Sequence, residues 1–299
     1  MAFDFERTER LARLCGDVHV VGPDGLDGTV WEGCPVRAFA GTGAGITSLA
    51  AVVDLGDRIA VAFRGTLLPL LGSLETAVKD WMCNLDVRME PFTATARTPA
   101  GHVATALPLP GRVHGGFHRE LLAVLAQVED ALLALPRRPI VVTGHSQGGA
   151  IAVLCARVLE TAGWNVEATT TFAAPRAGDA AAVRTGTAPV HRVEFGHDIV
   201  PHVPPVLTTG LAASILAKTV DLAADLEPWL ERWSKLFRSP LPYATAGDLW
   251  YARDGEDLVR PYDAQAEALL SKKRILALLG AGPALWRHHE LRNYLASLR

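Results

Sequence analysis

An α/β fold, a mostly parallel sheet covered by helices, is what this sequence predicts, and three observations carry the prediction. Short β-branched or aromatic runs recur along the chain, each ending at glycine, proline or charged residues. Longer stretches with helical periodicity lie between them. A Gly-x-Ser-x-Gly pattern sits where one such run gives way to an alanine-rich helical stretch. Strands that alternate with helices need crossover connections, and crossovers produce parallel pairing with helices on the sheet faces.

In chain order, residues 59–63, 140–143, 169–172 and 190–195 read as strands. Residues 120–135 and 150–161 read as helices, their apolar positions recurring at three and four. The run Gly41-Thr42-Gly43-Ala44-Gly45 lacks the G-x-G-x-x-G spacing and leads into no clear helix, so residues 39–45 read as a turn and not as a dinucleotide site. Further on, Leu211, Ile215, Leu222, Leu226, Trp229, Trp233 and Phe237 recur at spacings of mostly three or four, with Pro228 marking a bend. Residues 207–240 are therefore expected to form a helical insertion packed on its own core, while the tryptophans near one end keep a membrane-surface or partner-binding helix open. At 299 residues the chain reads as one domain.

Composition narrows the function classes. Hydrophobic residues make up 49% and charged residues 20%, ordinary proportions for a chain that buries a core. A net charge of -3 leaves no basic footprint, so no nucleic-acid partner is expected. Asp4 and Glu6 precede any apolar run, unlike a secretory signal, which points to the cytoplasm; leaderless export is compatible with the same reading. No stretch of about 18 apolar residues offers a spanning helix. Cys15, Cys34, Cys83 and Cys155 form no C-x-x-C pair and no pattern with histidine, so buried free thiols are expected and no metal site.

The chemistry concentrates in Ile140-Val141-Val142-Thr143-Gly144-His145-Ser146-Gln147-Gly148-Gly149. A serine in a tight strand-to-helix turn projects its hydroxyl from the sheet, and the flanking glycines leave room for the backbones to approach. Ser146 would also stand at a helix N-terminus, where backbone N–H groups favour developing negative charge. The competing reading is a glycine-rich turn with a capping serine; the strand and helix on either side favour the nucleophile. A serine hydroxyl needs a base, and the base needs an acid to orient it, here in the order serine, acid, histidine. Asp198 lies in a loop just beyond the strand ending at Phe195, the expected place for the acid. Asp221 and Asp225 fall on the amphipathic stripe, and Asp179 follows the previous strand. Since His202 is too near Asp198, His288 and His289 remain, and spacing alone does not choose between them.

Six segments in order complete the picture: Phe63-Arg64-Gly65-Thr66, the run from Asp80 to Asp86, Val113-His114-Gly115-Gly116-Phe117, the run from Thr171 to Asp179, the run from His197 to Pro205, and His289-Glu290-Leu291-Arg292-Asn293-Tyr294-Leu295. Together they resemble the class 3 lipases, the fungal-lipase-like α/β-hydrolases. The resemblance selects His289 as base, because the plant and bacterial form of the terminal motif puts the histidine five positions before a tyrosine, as His289 precedes Tyr294. It implies an oxyanion hole from the backbone N–H groups of Thr66 and Gln147, with the Thr66 hydroxyl as a third donor. It also implies a lid over residues 67–80, longer here than usual and carrying Leu67, Leu68, Leu70, Leu71 and Leu74. The expected function is an acylglycerol lipase acting through an acyl-enzyme on a lipid or small ester, without metal or organic cofactor and with transient contact to a lipid interface. Phospholipase A1 activity, including that of an exported toxin, is the alternative within enzymes. A catalytically silent binding protein on the same fold would be expected to carry a broken triad or oxyanion loop, and neither is broken.

Overall fold

Strands covered on both faces are buried at every position, not at alternate ones. Ile59–Phe63, Ile140–His145 and Val190–Phe195 are buried at every residue. The computed structural model describes residues 3–20, 28–43, 46–65, 88–204, 243–253, 258–261, 266–267 and 287–298. Its main sheet contains β1 (Val30–Trp31), β2 (Cys34–Gly43), β3 (Ile46–Asp54), β4 (Ile59–Phe63), β5 (Ile140–His145), β6 (Val166–Phe172), β7 (Val190–Phe195) and β8 (Asp248–Ala252), side by side in that order. The first four pair antiparallel, and β4 through β8 pair in parallel. The α/β class with a mostly parallel sheet stands.

The alternation of strand side chains divides the core in two. Ile59, Val61 and Phe63 face one side with Ile140 and Val142, and there α2 (Gly115–Ala134) and α3 (Gln147–Thr161) bring Leu121, Val124, Val128, Ile151, Leu154 and Val158. Ala60, Ala62 and Val141 face the other side. That side is closed by α1 (Phe5–Val20), through Leu11, Leu14 and Val18, and by α4 (Leu291–Ala296), through Tyr294. The apolar spacing 11, 14, 15, 18 marks α1 as amphipathic, and Leu11, Leu14, Cys15 and Val18 are all buried.

Several boundaries differ from the sequence reading. Both central helices start earlier than expected because each carries two glycines in its first turn, and glycine has low helix propensity. α2 is capped instead by the His114 ring, whose Nδ1 accepts the N–H groups of Gly116 and Phe117 at 3.1 and 3.3 Å. The turn expected over 39–45 is corrected: Gly41–Gly43 belong to β2 and pair with Ser48, Thr47 and Ile46 of β3, since ladder hydrogen bonds need no side chain. Residues 44–45 lie outside the described residues, as do the expected lid at 67–80 and the insertion at 207–240. Cys15, Cys34 and Cys155 are free thiols, but Cys34 is only half-buried, being in a short edge pairing with Trp31; Cys83 is outside the described residues. Burial pushes the Cys15 thiol up to about 12. Among the described residues no helix is long and apolar enough to cross a membrane.

Candidate active site

The turn from β5 into α3 holds Ser146 at φ 56°, ψ −130°, a left-handed conformation that non-glycine residues seldom adopt. Its neighbours explain the glycines. A Cβ on Gly144 would lie 2.2 Å from the Gly148 carbonyl oxygen, and one on Gly148 would lie 2.2 Å from that of Phe63. The Ser146 N–H donates to the Phe172 carbonyl at 2.8 Å, which pins the turn to β6.

The other two predicted residues come from the far ends of neighbouring elements. β7 ends at Phe195, and Gly196 at φ 51° turns the chain so that Asp198 enters the interior, fully buried. His289 sits just before α4 with 3% of its surface exposed. Its Nε2 lies 2.9 Å from Ser146 Oγ, and its Nδ1 lies 2.9 Å from Asp198 Oδ2. With Nδ1–H donating to the carboxylate, Nε2 is left to accept from the serine hydroxyl, a tautomer assigned from these partners. The structure thus joins Ser146, His289 and Asp198 in one hydrogen-bonded chain. His288 is turned away from the serine, toward His197. Asp179 serves elsewhere, accepting the N–H groups of Ala182 and Arg112 at 2.8 and 2.9 Å. Asp221 and Asp225 lie outside the described residues.

Two further side chains complete the arrangement. The Tyr294 hydroxyl, wholly buried, donates to Asp198 Oδ2 at 2.6 Å, and the Val200 N–H donates to Oδ1 at 2.9 Å. The His145 ring donates from Nε2 to the His289 carbonyl at 3.0 Å, fixing the backbone that carries the base. Tyr294 was visible in the terminal motif only as a spacing marker, and its hydroxyl contact needed the fold. His145 stood inside the Gly-x-Ser-x-Gly run with no signal of its own, since its partner is 144 residues away.

Gln147 is the first residue of α3 and 8% exposed, so its backbone N–H stands at a helix N-terminus beside the serine. Its side-chain amide donates to the Glu120 carboxylate of α2, which orients the side chain. Thr66 lies outside the described residues. Its neighbour Gly65 runs against the elbow: a Cβ there would meet the His145 carbonyl oxygen at 2.9 Å and Ser146 Cβ at 3.3 Å. Arg64 before it is buried, and desolvation lowers its pKa while the Glu120 charge opposes that shift. Among the described residues no group of three or more His, Cys, Asp or Glu is placed to hold a metal ion.

A serine hydroxyl at a strained elbow, an imidazole within hydrogen-bond reach of it and a buried acidic side chain on the far ring nitrogen can together move a proton off serine and return it to a leaving group. Residues 60–208, which carry the elbow and the acid, match the family model described as lipase (class 3). The chain belongs to the class 3 lipase family. The chain is 29% identical over 179 residues to the secreted mono- and diacylglycerol lipase 1 of Fusarium solani, covering 58% of this chain and 47% of that one. It is 31% identical over 173 residues to a lipase of Rhizomucor miehei, covering 52% and 40%. The chain thus spans less than half the length of these curated relatives. In fold it is similar to the triacylglyceride lipase structure of Rhizomucor miehei, with a TM-score of 0.54 and 20% identity over 84% of this chain and 81% of that one. The triacylglycerol lipase of Penicillium expansum gives a TM-score of 0.56 at 14% identity, covering 88% and 85%.

Proposed function

We propose that this class 3 lipase hydrolyses carboxylic esters of lipids, acylglycerols in the first place, through an acyl-enzyme on Ser146. The observation that carries the reading is the unbroken hydrogen-bonded chain from Tyr294 through Asp198 and His289 to Ser146 Oγ. Substrate class draws on the relatives named for acylglycerol and triacylglycerol hydrolysis.

In the acylation half, His289 Nε2 takes the Ser146 proton as Oγ bonds to the ester carbonyl carbon, and the carbonyl electron pair moves onto oxygen. The backbone N–H of Gln147, with that of Thr66, receives the oxyanion; removal of one such donor typically costs about 3 kcal/mol in the barrier. Asp198 stabilises the imidazolium without taking its proton. Collapse breaks the ester C–O bond, and Nε2–H protonates the departing alcohol. Water then repeats the sequence on the acyl-enzyme and releases the fatty acid. Labelling with a fluorophosphonate tests the reading: modification confined to Ser146, lost in Ser146→Ala together with hydrolysis of p-nitrophenyl butyrate and a monoacylglycerol, is expected. Folded Ser146→Ala that hydrolyses these esters at more than about a tenth of the native rate would overturn it, because loss of a nucleophile costs orders of magnitude.

A further inference from the structure

The histidine beside the base has its own partner across the site. His288 Nδ1 accepts the backbone N–H of His197 at 2.8 Å. The two imidazoles stack at 5.6 Å with 19° between their planes, and the Phe195 ring meets His288 edge-on at 5.4 Å. Gly196, at φ 51°, lies directly beneath: a Cβ there would come within 2.3 Å of His288 Nδ1. The ring is therefore seated on the turn at the end of β7, where a side chain on residue 196 would displace it.

Residue 197 adjoins the acid and residue 288 adjoins the base, although 91 positions separate the bonded pair. One hydrogen bond thus ties together the two backbone segments that must present Asp198 and His289 to each other. The His145 ring holds the His289 carbonyl, so the turn that carries His289 is gripped at consecutive residues by β5 and by the turn that carries Asp198. Catalytic geometry tolerates about 0.5 Å of error, and a misplacement of about 1 Å costs up to about a hundredfold in rate. A bond from the side chain beside the base to the backbone beside the acid acts on that tolerance directly.

We propose that His288 is a positioning residue for this reaction, its Nδ1 clasping the acid turn so that Asp198 and His289 stay in register with Ser146. The inference rests on the triad reading above. It concerns the orientation of the base and not substrate binding, so its signature is in kcat.

The experiment compares three variants on dissolved p-nitrophenyl butyrate, with active sites counted by fluorophosphonate titration. His288→Phe keeps a ring to stack on His197 but loses the acceptor; kcat should fall on the order of tenfold with KM within about twofold of native. His288→Asn places its side-chain oxygen near the position of Nδ1 and should restore kcat to within about threefold of native. His288→Leu, also without an acceptor, repeats the first measurement if phenylalanine is not accommodated. Native kcat in both acceptor-free variants, or an asparagine variant as slow as they are, overturns the clasp. Ser146→Ala in the same assay separates the two readings: if it is inactive while His288→Phe is fully active, only the clasp fails, and if it stays active the triad reading fails first.

Discussion

Two buried carboxyl groups in this molecule meet opposite surroundings. Asp198 receives three donors, the Nδ1–H of His289 and the hydroxyl of Tyr294 from the C-terminal segment and the N–H of Val200 from its own turn. Glu129, on α2 and 2% exposed, has the Arg97 N–H on its Oε1 at 2.9 Å, and burial pushes its carboxyl up to about 7. Depth is therefore not what distinguishes the two. What differs is the convergence of donors on Asp198, which stands in a hydrogen-bonded chain that runs through His289 to Ser146 Oγ.

The comparison is broken most directly at the end of the donor chain. Ser146→Ala should leave a folded protein whose hydrolysis drops by about 10⁴-fold or more, since a triad acts as a unit. Asp198→Asn should lower kcat by up to about 10⁴-fold, because the amide favours the wrong imidazole tautomer. A mild effect, less than about tenfold in a steady-state assay, would mean that the donors around Asp198 serve stability alone.

Tyr294→Phe sharpens the same point by removing one donor of three. The ring stays in the core beneath α4, so kcat is expected to fall on the order of tenfold with KM nearly unchanged, and His289→Ala should remain far worse. An unchanged kcat alongside a lower melting temperature would reassign the hydroxyl to packing.

The smallest effect belongs to Glu129. Its folded carboxyl sits above the ordinary value of 4.5, at about 7. Its contribution to stability is thus fully present below about pH 4.5 and is lost as pH rises through about 7. Glu129→Gln should remove that component, flattening the fall in melting temperature between pH 5 and pH 8 by on the order of 2–4 °C while leaving ester hydrolysis untouched. Identical pH dependence in native and variant would show that the carboxyl is not the titrating group.

Ser146 and Asp198 were legible in the sequence because each sits at a strand end marked by local signals: β-branched runs, then glycine or a polar turn. Choosing His289 over His288 was not a matter of spacing and needed a family resemblance, since adjacent residues differ only in which way their side chains point. β2, β3 and α1 escaped the strand-and-helix reading for different reasons. Glycines weaken the β signal of residues 41–43, whereas the 11, 14, 15, 18 pattern of α1 is plain once read for amphipathicity.

By itself, then, the sequence determined the alternation of doubly buried strands with helices, and the elbow at Ser146, because both depend on side chains within a few residues of one another. Only the tertiary structure decided which contacts close the site: Tyr294 and Val200 on Asp198, His145 on the His289 carbonyl, and His288 on the His197 N–H. Most of these join segments of chain 91 to 144 residues apart, where the order of strands in the sheet sets the distance and local pattern carries no record of it.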